Sequence, residues 1–148
     1  MAAVRRAEVT WEGDLAHGSG KLSAASSDAF SELPVTWGSR IERADGRTSP
    51  EELLAAAHAS CFSMALSFGL GNAGTPPERL QVSAEVTFDR VEGGFRVVSS
   101  ALTVRGRVPG LDAEAFRQAA EGAKENCPIS QALKGNVQLS VEPSLESR

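Results

Sequence analysis

The stretch SPEELLAAAHASCFSMALSFGL, residues 49–70, decides the fold of this chain because it carries a complete helix signal. Ser49 can cap the helix, Pro50 suits the first helical position, and Glu52 completes an S-x-x-E capping box. Residues 53–77 contain no Asp, Glu, Lys or Arg. A helix that is apolar on all sides is normally a buried one. We therefore predict a central helix that a small domain can hardly surround alone, so that a partner subunit helps to cover it.

Strand patterns lie on both sides of this helix. Before it, AEVTWEG (7–13), KLSAAS (21–26) and LPVTWGSRIE (33–42) read as three strands. After it, RLQVSAEVTFDRV (79–91) alternates apolar and polar residues, and FRVVSSALTVRGRV (95–108) returns beyond an EGG turn. Such alternation around a glycine turn predicts an antiparallel hairpin.

The C-terminal third continues with a second helix and a last strand. AEAFRQAAEGAKEN (113–126) has apolar residues at helical spacing, and Cys127-Pro128 interrupts it. A short helical turn and the strand VQLSVE (137–142) follow. The order β-β-β-α-β-β-α-α-β predicts an α+β fold. No linker separates its parts, so we predict a single domain over residues 1–148.

The composition argues against several classes of partner. The 148 residues are 41% hydrophobic and 23% charged, with a formal net charge of -4. Nucleic acids and anionic membranes both select clustered Lys and Arg, so neither partner is expected. Serine, glycine and histidine interrupt the uncharged helix, which argues against a membrane span. The first residues carry charges and no apolar signal-peptide core, so we expect a cytoplasmic protein whose thiols are reduced.

The sequence also carries no signal for a cofactor or a metal. It contains neither a P-loop nor a G-x-G-x-x-G motif. Its two cysteines, Cys61 and Cys127, are 66 residues apart, and His17 and His58 are its two histidines. This spacing excludes a CxxC redox loop and a compact zinc knuckle. We therefore expect no cofactor and no metal.

Cys61 is either a small core residue or a reactive thiol. It lies about three turns into the predicted helix. The helix dipole helps an anion only within the first turn. A buried thiol without such help has a raised pKa and is inert. For Cys61 to react, a cation must be brought to it.

Arg40, at the end of the predicted strand VTWGSR, is the candidate cation. An arginine about 4 Å from a thiolate stabilises it by roughly 4 kcal/mol at an effective dielectric of about 20. Glu51 can hold Arg40, because Glu52 is used by the capping box. Ten residues of helix span about 15 Å, so such a pair is expected to serve the Cys61 of a neighbouring subunit. Without that context, Arg40 is a strand-end surface charge and Glu51 an acid of a first helical turn.

His58 and Cys127 also allow two interpretations each. His58 lies three residues before Cys61 on the same helical face, so a Cys–His nucleophilic pair is conceivable. A core histidine satisfied by hydrogen bonds is the favoured alternative. Cys127 stands at a helix break, where a helix N-terminus can stabilise a thiolate, or it is a buried boundary residue. The two thiols can join only if their Cα atoms approach within roughly 4.4–6.8 Å.

Three motifs together resemble a known family. VTWGSR, TSPEELLAAAHASCFSMALS and NCPISQALK closely resemble the OsmC branch of the OsmC/Ohr family, the osmotically inducible and organic hydroperoxide resistance proteins. The early segment WEGDLAHGSGKLS and the later VPGLDAEAF match the same branch. The resemblance implies an α+β, OsmC-like fold with antiparallel sheets wrapped around long central helices. It also implies an intertwined homodimer with two active sites at the subunit interface.

The resemblance further implies a thiol-dependent peroxidase that reduces organic hydroperoxides, and hydrogen peroxide more weakly, in oxidative and osmotic stress defence. Cys61 matches the peroxide-attacking cysteine and Cys127 the resolving cysteine, with which it forms a disulfide. Arg40 matches the arginine of the OsmC branch, and Glu51 the acid that holds it. His17 stands where the Ohr branch carries its own arginine. A dithiol reductant, either a lipoyl protein or a thioredoxin-like protein, would restore both thiols.

Other assignments remain open on the residues. Phe62, Met64 and Phe68 are candidates for an apolar wall that favours alkyl hydroperoxides, although each could be plain core. The spacing of His58 and Cys61 also allows a Cys–His acyl transferase or hydrolase. The uncharged helix allows a non-catalytic redox sensor or a carrier of apolar ligands.

Overall fold

The computed structural model describes residues 1–147 as a mixed α+β chain. Its six strands are β1 (Glu8–Glu12), β2 (Ser19–Ser23), β3 (Leu33–Val35), β4 (Arg79–Val91), β5 (Gly94–Arg107) and β6 (Gln138–Leu145). Its four helices are α1 (Trp37–Ile41), α2 (Pro50–Asn72), α3 (Ala113–Asn126) and α4 (Pro128–Leu133). The chain divides into two compact units, residues 1–53 and the residues from 54 onward. The predicted α+β class is confirmed, and a single domain over residues 1–148 stays a prediction.

The first unit is built on a three-stranded antiparallel sheet in the order β1-β2-β3. Gly20 of β2 lies opposite Trp11 of β1 and Val35 of β3. A Cβ atom at Gly20 would come within 2.9 Å of both side chains. Glycine is therefore required at the centre of this sheet, because the indole and the valine pack directly over its backbone.

The expectation of one strand over residues 33–42 is wrong beyond Val35. Thr36 accepts a hydrogen bond from the Ser39 N–H at 3.0 Å, and the Ser39 hydroxyl accepts one from the Thr36 N–H at 3.0 Å. This reciprocal capping box starts helix α1 at Trp37. Arg40 consequently lies in the last turn of a short helix and not at the end of a strand.

The second unit contains a three-stranded sheet in the order β4-β5-β6. The predicted hairpin is confirmed, with Val82 of β4 opposite Val104 of β5 in an antiparallel pair. Strand β6 instead lies parallel to β5, which departs from the antiparallel expectation. The reason is topological, because α3 and α4 carry the chain across before it returns in the same direction.

The core of the second unit combines residues of α2, β5 and α3. A Cβ atom at Gly106 of β5 would lie 2.6 Å from the Phe116 ring of α3, so the helix packs directly on the strand backbone. The buried apolar members of this core are Phe62, Leu66, Leu70, Leu102, Val104, Val108, Phe116, Ala120 and Ala123, together with Cys127. Cys127 is therefore part of the core that this packing holds.

Helix α2 is buried along one side only. Phe62 and Leu66 are 0% and 1% exposed, whereas Met64 and Phe68 are 73% and 71% exposed. The chain by itself therefore leaves one side of α2 uncovered, as expected for an apolar helix that a small domain can hardly surround alone. Phe62 is core, and Met64 and Phe68 form an exposed apolar stripe. Burial of that stripe by a partner subunit stays a prediction.

The same helix is long and apolar enough to cross a membrane by length and composition alone. A core helix of a soluble protein meets the same criteria. In this structure the apolar residues Phe62 and Leu66 of α2 pack in the core of the second unit. The absence of a membrane partner stays a prediction.

Candidate active site

Cys61 and Cys127 lie beside each other in the second unit. Cys61 is in the middle of α2, and Cys127 is the residue at which α3 ends and α4 begins. Proline at the following position starts the new helix, as the interrupted pattern predicts. The Cys127 side chain is fully buried, neither cysteine is in a disulfide, and Cys61 packs against the core cluster that contains Cys127. The fold thus brings together two sulfur atoms that are 66 residues apart in the sequence.

The surroundings of Cys61 favour its neutral thiol. Burial raises the pKa of Cys61, and the neighbouring Cys127 thiol raises it further. The backbone N–H of Ile129, in the first turn of α4, acts in the opposite direction and lowers the pKa. The net pKa of Cys61 is raised, so these groups alone leave little thiolate at neutral pH. A reactive Cys61 therefore needs an additional positive charge.

Arg40 and Glu51 form a two-pronged ion pair in the first unit. Arg40 Nε donates to Glu51 Oε1 at 3.0 Å, and Arg40 Nη2 donates to Glu51 Oε2 at 2.9 Å. Bidentate arginine–carboxylate pairs of this kind are strong and orient the guanidinium. The Arg40 guanidinium also lies 5.9 Å from the centre of the Trp37 ring. The predicted anchoring of Arg40 by Glu51 is present in this geometry.

The start of α2 explains why Glu51 is available for this pair. The Glu52 N–H donates to the Ser49 hydroxyl at 3.1 Å, which is one half of the expected capping box. The Glu52 carboxylate accepts instead from the Thr48 hydroxyl at 2.7 Å. Glu52 is thereby held at the helix start, and Glu51, one position earlier, bonds to Arg40.

An apolar groove of about 360 Å³ adjoins the ion pair within the first unit. Its walls come from β1, β2 and β3, from Trp37, and from the first residues of α2. Among the described residues that line it, Arg40 is the charged one. The groove could accommodate an alkyl chain whose polar end meets the guanidinium.

His58 is held by two serines. Its Nδ1 lies 2.6 Å from the Ser100 hydroxyl, and its Nε2 lies 2.8 Å from the Ser130 hydroxyl. The His58 ring is fully buried, and burial lowers its pKa. Both ring nitrogens are engaged away from Cys61, so the interpretation as a satisfied core histidine fits and the Cys–His pair does not.

Acidification is expected to destabilise the protein through His58. Its pKa in the fold lies below the ordinary value of 6.5. The unfolded chain therefore takes up a proton first, and the free energy of unfolding falls as the pH drops from about 6.5 towards the pKa in the fold. The slope is at most about 1.4 kcal/mol per pH unit. Urea unfolding between pH 7.5 and 5 should show this loss, and His58→Gln should remove it.

The matched control for this experiment is His17→Gln. The His17 side chain is 87% exposed, so its replacement should leave the pH dependence of the wild type in place. Equal pH dependence in wild type and His58→Gln would contradict the assignment to His58.

Sequence reasoning did not identify Ser100 and Ser130 as partners of His58. Ser130 belongs to the quoted NCPIS segment, and Ser100 shares the inward face of β5 with Leu102 and Val104. A polar residue at an inward position of a strand was the available signal. Among residues 1–147, no group of three or more His, Cys, Asp or Glu side chains could hold a metal ion.

Comparison with known proteins agrees with the geometry. The family model described as OsmC-like protein matches residues 43–142. The peroxiredoxin OsmC of Escherichia coli is 40% identical over 142 residues, which cover 96% of this chain and 98% of the relative. The organic hydroperoxide resistance protein OhrA of Bacillus subtilis is 30% identical over 125 residues, covering 79% of this chain and 83% of the relative.

Solved structures show the same relationship. The organic hydroperoxide resistance protein OhrB of Bacillus subtilis superimposes with a TM-score of 0.74 at 28% identity, over 94% of this chain and 98% of that chain. A putative organic hydroperoxide resistance protein of Vibrio cholerae, with captopril bound in one of its active sites, gives 0.71 at 28% identity, over 95% and 94%. Matched across its sequence and its fold, the chain belongs to the OsmC-like family.

Proposed function

We propose that this protein is a thiol-dependent peroxidase that reduces organic hydroperoxides to alcohols. The observation that carries the proposal is the placement of Cys61 in the second unit against the buried cluster that contains Cys127, close enough for Cys127 to raise the Cys61 pKa. Relatives at 40% and 30% identity are named a peroxiredoxin and an organic hydroperoxide resistance protein, which supports the same chemistry here.

The reaction follows from the two thiols. The Cys61 thiolate attacks the terminal oxygen of ROOH, the O–O bond breaks, and the alkoxide leaves and takes up a proton to give ROH. Cys61 is then a sulfenic acid. The Cys127 sulfur attacks it, forming a Cys61–Cys127 disulfide and releasing water. An external dithiol reduces this disulfide by exchange and becomes a disulfide itself.

Arg40 supplies the charge that the first step needs. Placed beside Cys61, the guanidinium would favour the thiolate and the developing charge on the leaving oxygen. Glu51 would hold the guanidinium in position through its two hydrogen bonds. Because ten helical residues span about 15 Å, we propose that each Arg40–Glu51 pair serves the Cys61 of the partner in a homodimer.

Apolar surfaces support a preference for organic hydroperoxides over hydrogen peroxide. The groove beside Arg40 is lined mainly by apolar side chains, and Met64 and Phe68 expose apolar area on α2. An alkyl chain loses water against such surfaces at a gain of roughly 0.8 kcal/mol per CH₂ group. Hydrogen peroxide has no group that could use them.

The wild-type protein is expected to turn over cumene hydroperoxide many times, with kcat/KM at least about tenfold above that for hydrogen peroxide. The measurement is steady-state kinetics with each peroxide, supplied either with a lipoyl reductase system or with a thioredoxin system. The two systems also identify the class of dithiol reductant. Failure of both organic and inorganic hydroperoxides to react would overturn the proposed function.

A non-catalytic redox sensor is the second candidate, because paired thiols also suit a sensor. It would be oxidised once per site and would not turn over in the presence of dithiols. The acyl transferase or hydrolase is not supported, since both ring nitrogens of His58 bond to serines. We further propose that residues 1–148 form a single domain and that the protein is a homodimer located in the cytoplasm.

A further inference from the structure

A buried row of three side chains connects β5 with α2, which carries Cys61, and with α4, which begins directly after Cys127. Ser100 belongs to β5, His58 to α2 and Ser130 to α4. Ser100 and His58 are 0% exposed, and Ser130 is 1% exposed. The contact of 2.6 Å joins β5 to α2, and the contact of 2.8 Å joins α2 to α4.

The same three-residue spacing occurs on α2 and at the start of α4. His58 lies three residues before Cys61 on α2, and Cys127 lies three residues before Ser130. Residues three apart on a helix lie on the same face, so His58 and Cys61 share one face of α2. From that face His58 bonds to Ser130 of α4, and Cys61 packs against the cluster that contains Cys127. A movement of α4 that broke the bond to His58 would also move Cys127, the residue directly before α4.

Helix α4 depends on such a link for its position. It has six residues, and the side chain at its N-cap makes no capping hydrogen bond. Short helices have little stability of their own and are held by tertiary contacts. The bond from His58 to Ser130 is a buried polar contact in a dry environment, where losing it leaves an unsatisfied group.

Resting on the proposed peroxidase function, we propose that His58 is a positioning residue for the resolving step. Through Ser130 it holds α4 so that the Cys127 sulfur and the Ile129 N–H face Cys61. After Cys61 becomes a sulfenic acid, the Cys127 sulfur attacks it without a prior rearrangement of α4, and water leaves as the disulfide forms. Misplacement of a reacting group by about 1 Å can cost about 100-fold in rate.

Two substitutions of His58 separate its two hydrogen bonds. The amide of His58→Gln reaches the region of Nε2, so it can keep the bond to Ser130 and lose the one to Ser100. The shorter amide of His58→Asn reaches the region of Nδ1, so it can keep Ser100 and lose Ser130. Each variant loses one buried bond, which makes them matched controls for stability. Ser130→Ala and Ser100→Ala provide the same pair from the serine side.

The first measurement follows disulfide formation after one equivalent of cumene hydroperoxide, by rapid quench and mass spectrometry. We expect His58→Asn and Ser130→Ala to form the Cys61–Cys127 disulfide about 10- to 100-fold more slowly than wild type. More of their Cys61 should be over-oxidised to sulfinic acid in excess peroxide. His58→Gln and Ser100→Ala should stay within about threefold of wild type.

The second measurement needs no peroxide. Equilibration with glutathione buffers of known redox potential gives the effective concentration of the Cys61 thiol toward the Cys127 thiol. We expect this effective concentration to fall about tenfold in His58→Asn and Ser130→Ala and to stay at the wild-type value in His58→Gln. Wild-type values in Ser130→Ala, or equal losses in His58→Gln and His58→Asn, would overturn the positioning role. If the wild-type protein did not react with peroxide while the variants still differed in glutathione buffers, the proposed function would be overturned and the positioning role would stand.

Discussion

Cys61→Ser protein is expected to consume no hydroperoxide, whereas Cys127→Ser protein rapidly consumes one equivalent per chain and then does not turn over. Serine has no thiolate to attack the O–O bond, so the loss for Cys61→Ser should exceed about 1000-fold. In Cys127→Ser the first step is intact, but the sulfenic acid has no neighbouring thiol with which to condense. Each variant differs from wild type by one atom, an oxygen in place of a sulfur, so the two variants are matched controls for each other.

The experiment follows peroxide consumption with a protein dithiol as the only reductant. Small thiols are left out because they can attack a sulfenic acid directly and hide the missing Cys127. Trapping and mass spectrometry should find a sulfenic acid on Cys61 in Cys127→Ser, and sulfinic acid after excess peroxide. Full turnover by Cys61→Ser would contradict the assignment of the nucleophile, and full turnover by Cys127→Ser would contradict the resolving role.

Arg40→Met is expected to slow the reaction with cumene hydroperoxide by about 100- to 1000-fold at pH 7. An arginine about 4 Å from a thiolate contributes roughly 4 kcal/mol at an effective dielectric of about 20, before desolvation subtracts from it. Burial and Cys127 already raise the pKa of Cys61, so without the cation the thiolate fraction at neutral pH is small. The defect should shrink as the pH rises, because hydroxide then removes the thiol proton.

Arg43→Met is the matched control for Arg40→Met. The Arg43 side chain is 85% exposed and pairs with Asp45 at 3.4 Å, so the same change of charge there should leave the rate within about twofold. Glu51→Gln, which removes the charge that holds Arg40, should give an intermediate loss. The readout is the pH profile of the second-order rate constant, and a wild-type profile in Arg40→Met would exclude the proposed role.

Mixing subunits tests which chain receives the arginine. In a heterodimer of Arg40→Met and Cys61→Ser chains, one site regains both intact residues if Arg40 acts on the partner's thiol. Co-refolded mixtures should therefore recover activity that neither variant has alone. Inactive mixtures, or a stable monomer by light scattering, would contradict the shared site.

Several elements followed from local sequence alone. The start of α2 at Pro50, the hairpin of β4 and β5, and the break at Cys127 were confirmed because each depends on neighbouring residues only. The capping box before α2 formed by half, since the Glu52 carboxylate accepts from Thr48. The strand expected beyond Val35 was wrong because Trp37 and Ser39 suit an alternating pattern as well as a capped helix. The Thr36–Ser39 capping bonds decided between the two.

Other features depend on contacts between distant parts of the chain. The parallel direction of β6 follows from the crossover through α3 and α4, and no local pattern states it. The hydrophobicity of α2 did not reveal that Phe62 is buried and Met64 exposed, because the helix is apolar on every side. Periodicity can locate a core only where polar residues mark the opposite face.

The sequence by itself determined which groups are available for chemistry: two thiols, an arginine, a glutamate at the start of a helix, and a histidine one turn before Cys61. Tertiary structure decided which of them meet. It placed Cys127 against Cys61 and bound His58 to Ser100 and Ser130, and it paired Arg40 with Glu51. The physical reason is that reactivity and hydrogen bonding act over a few ångströms, whereas the residues concerned are up to 72 positions apart in the chain.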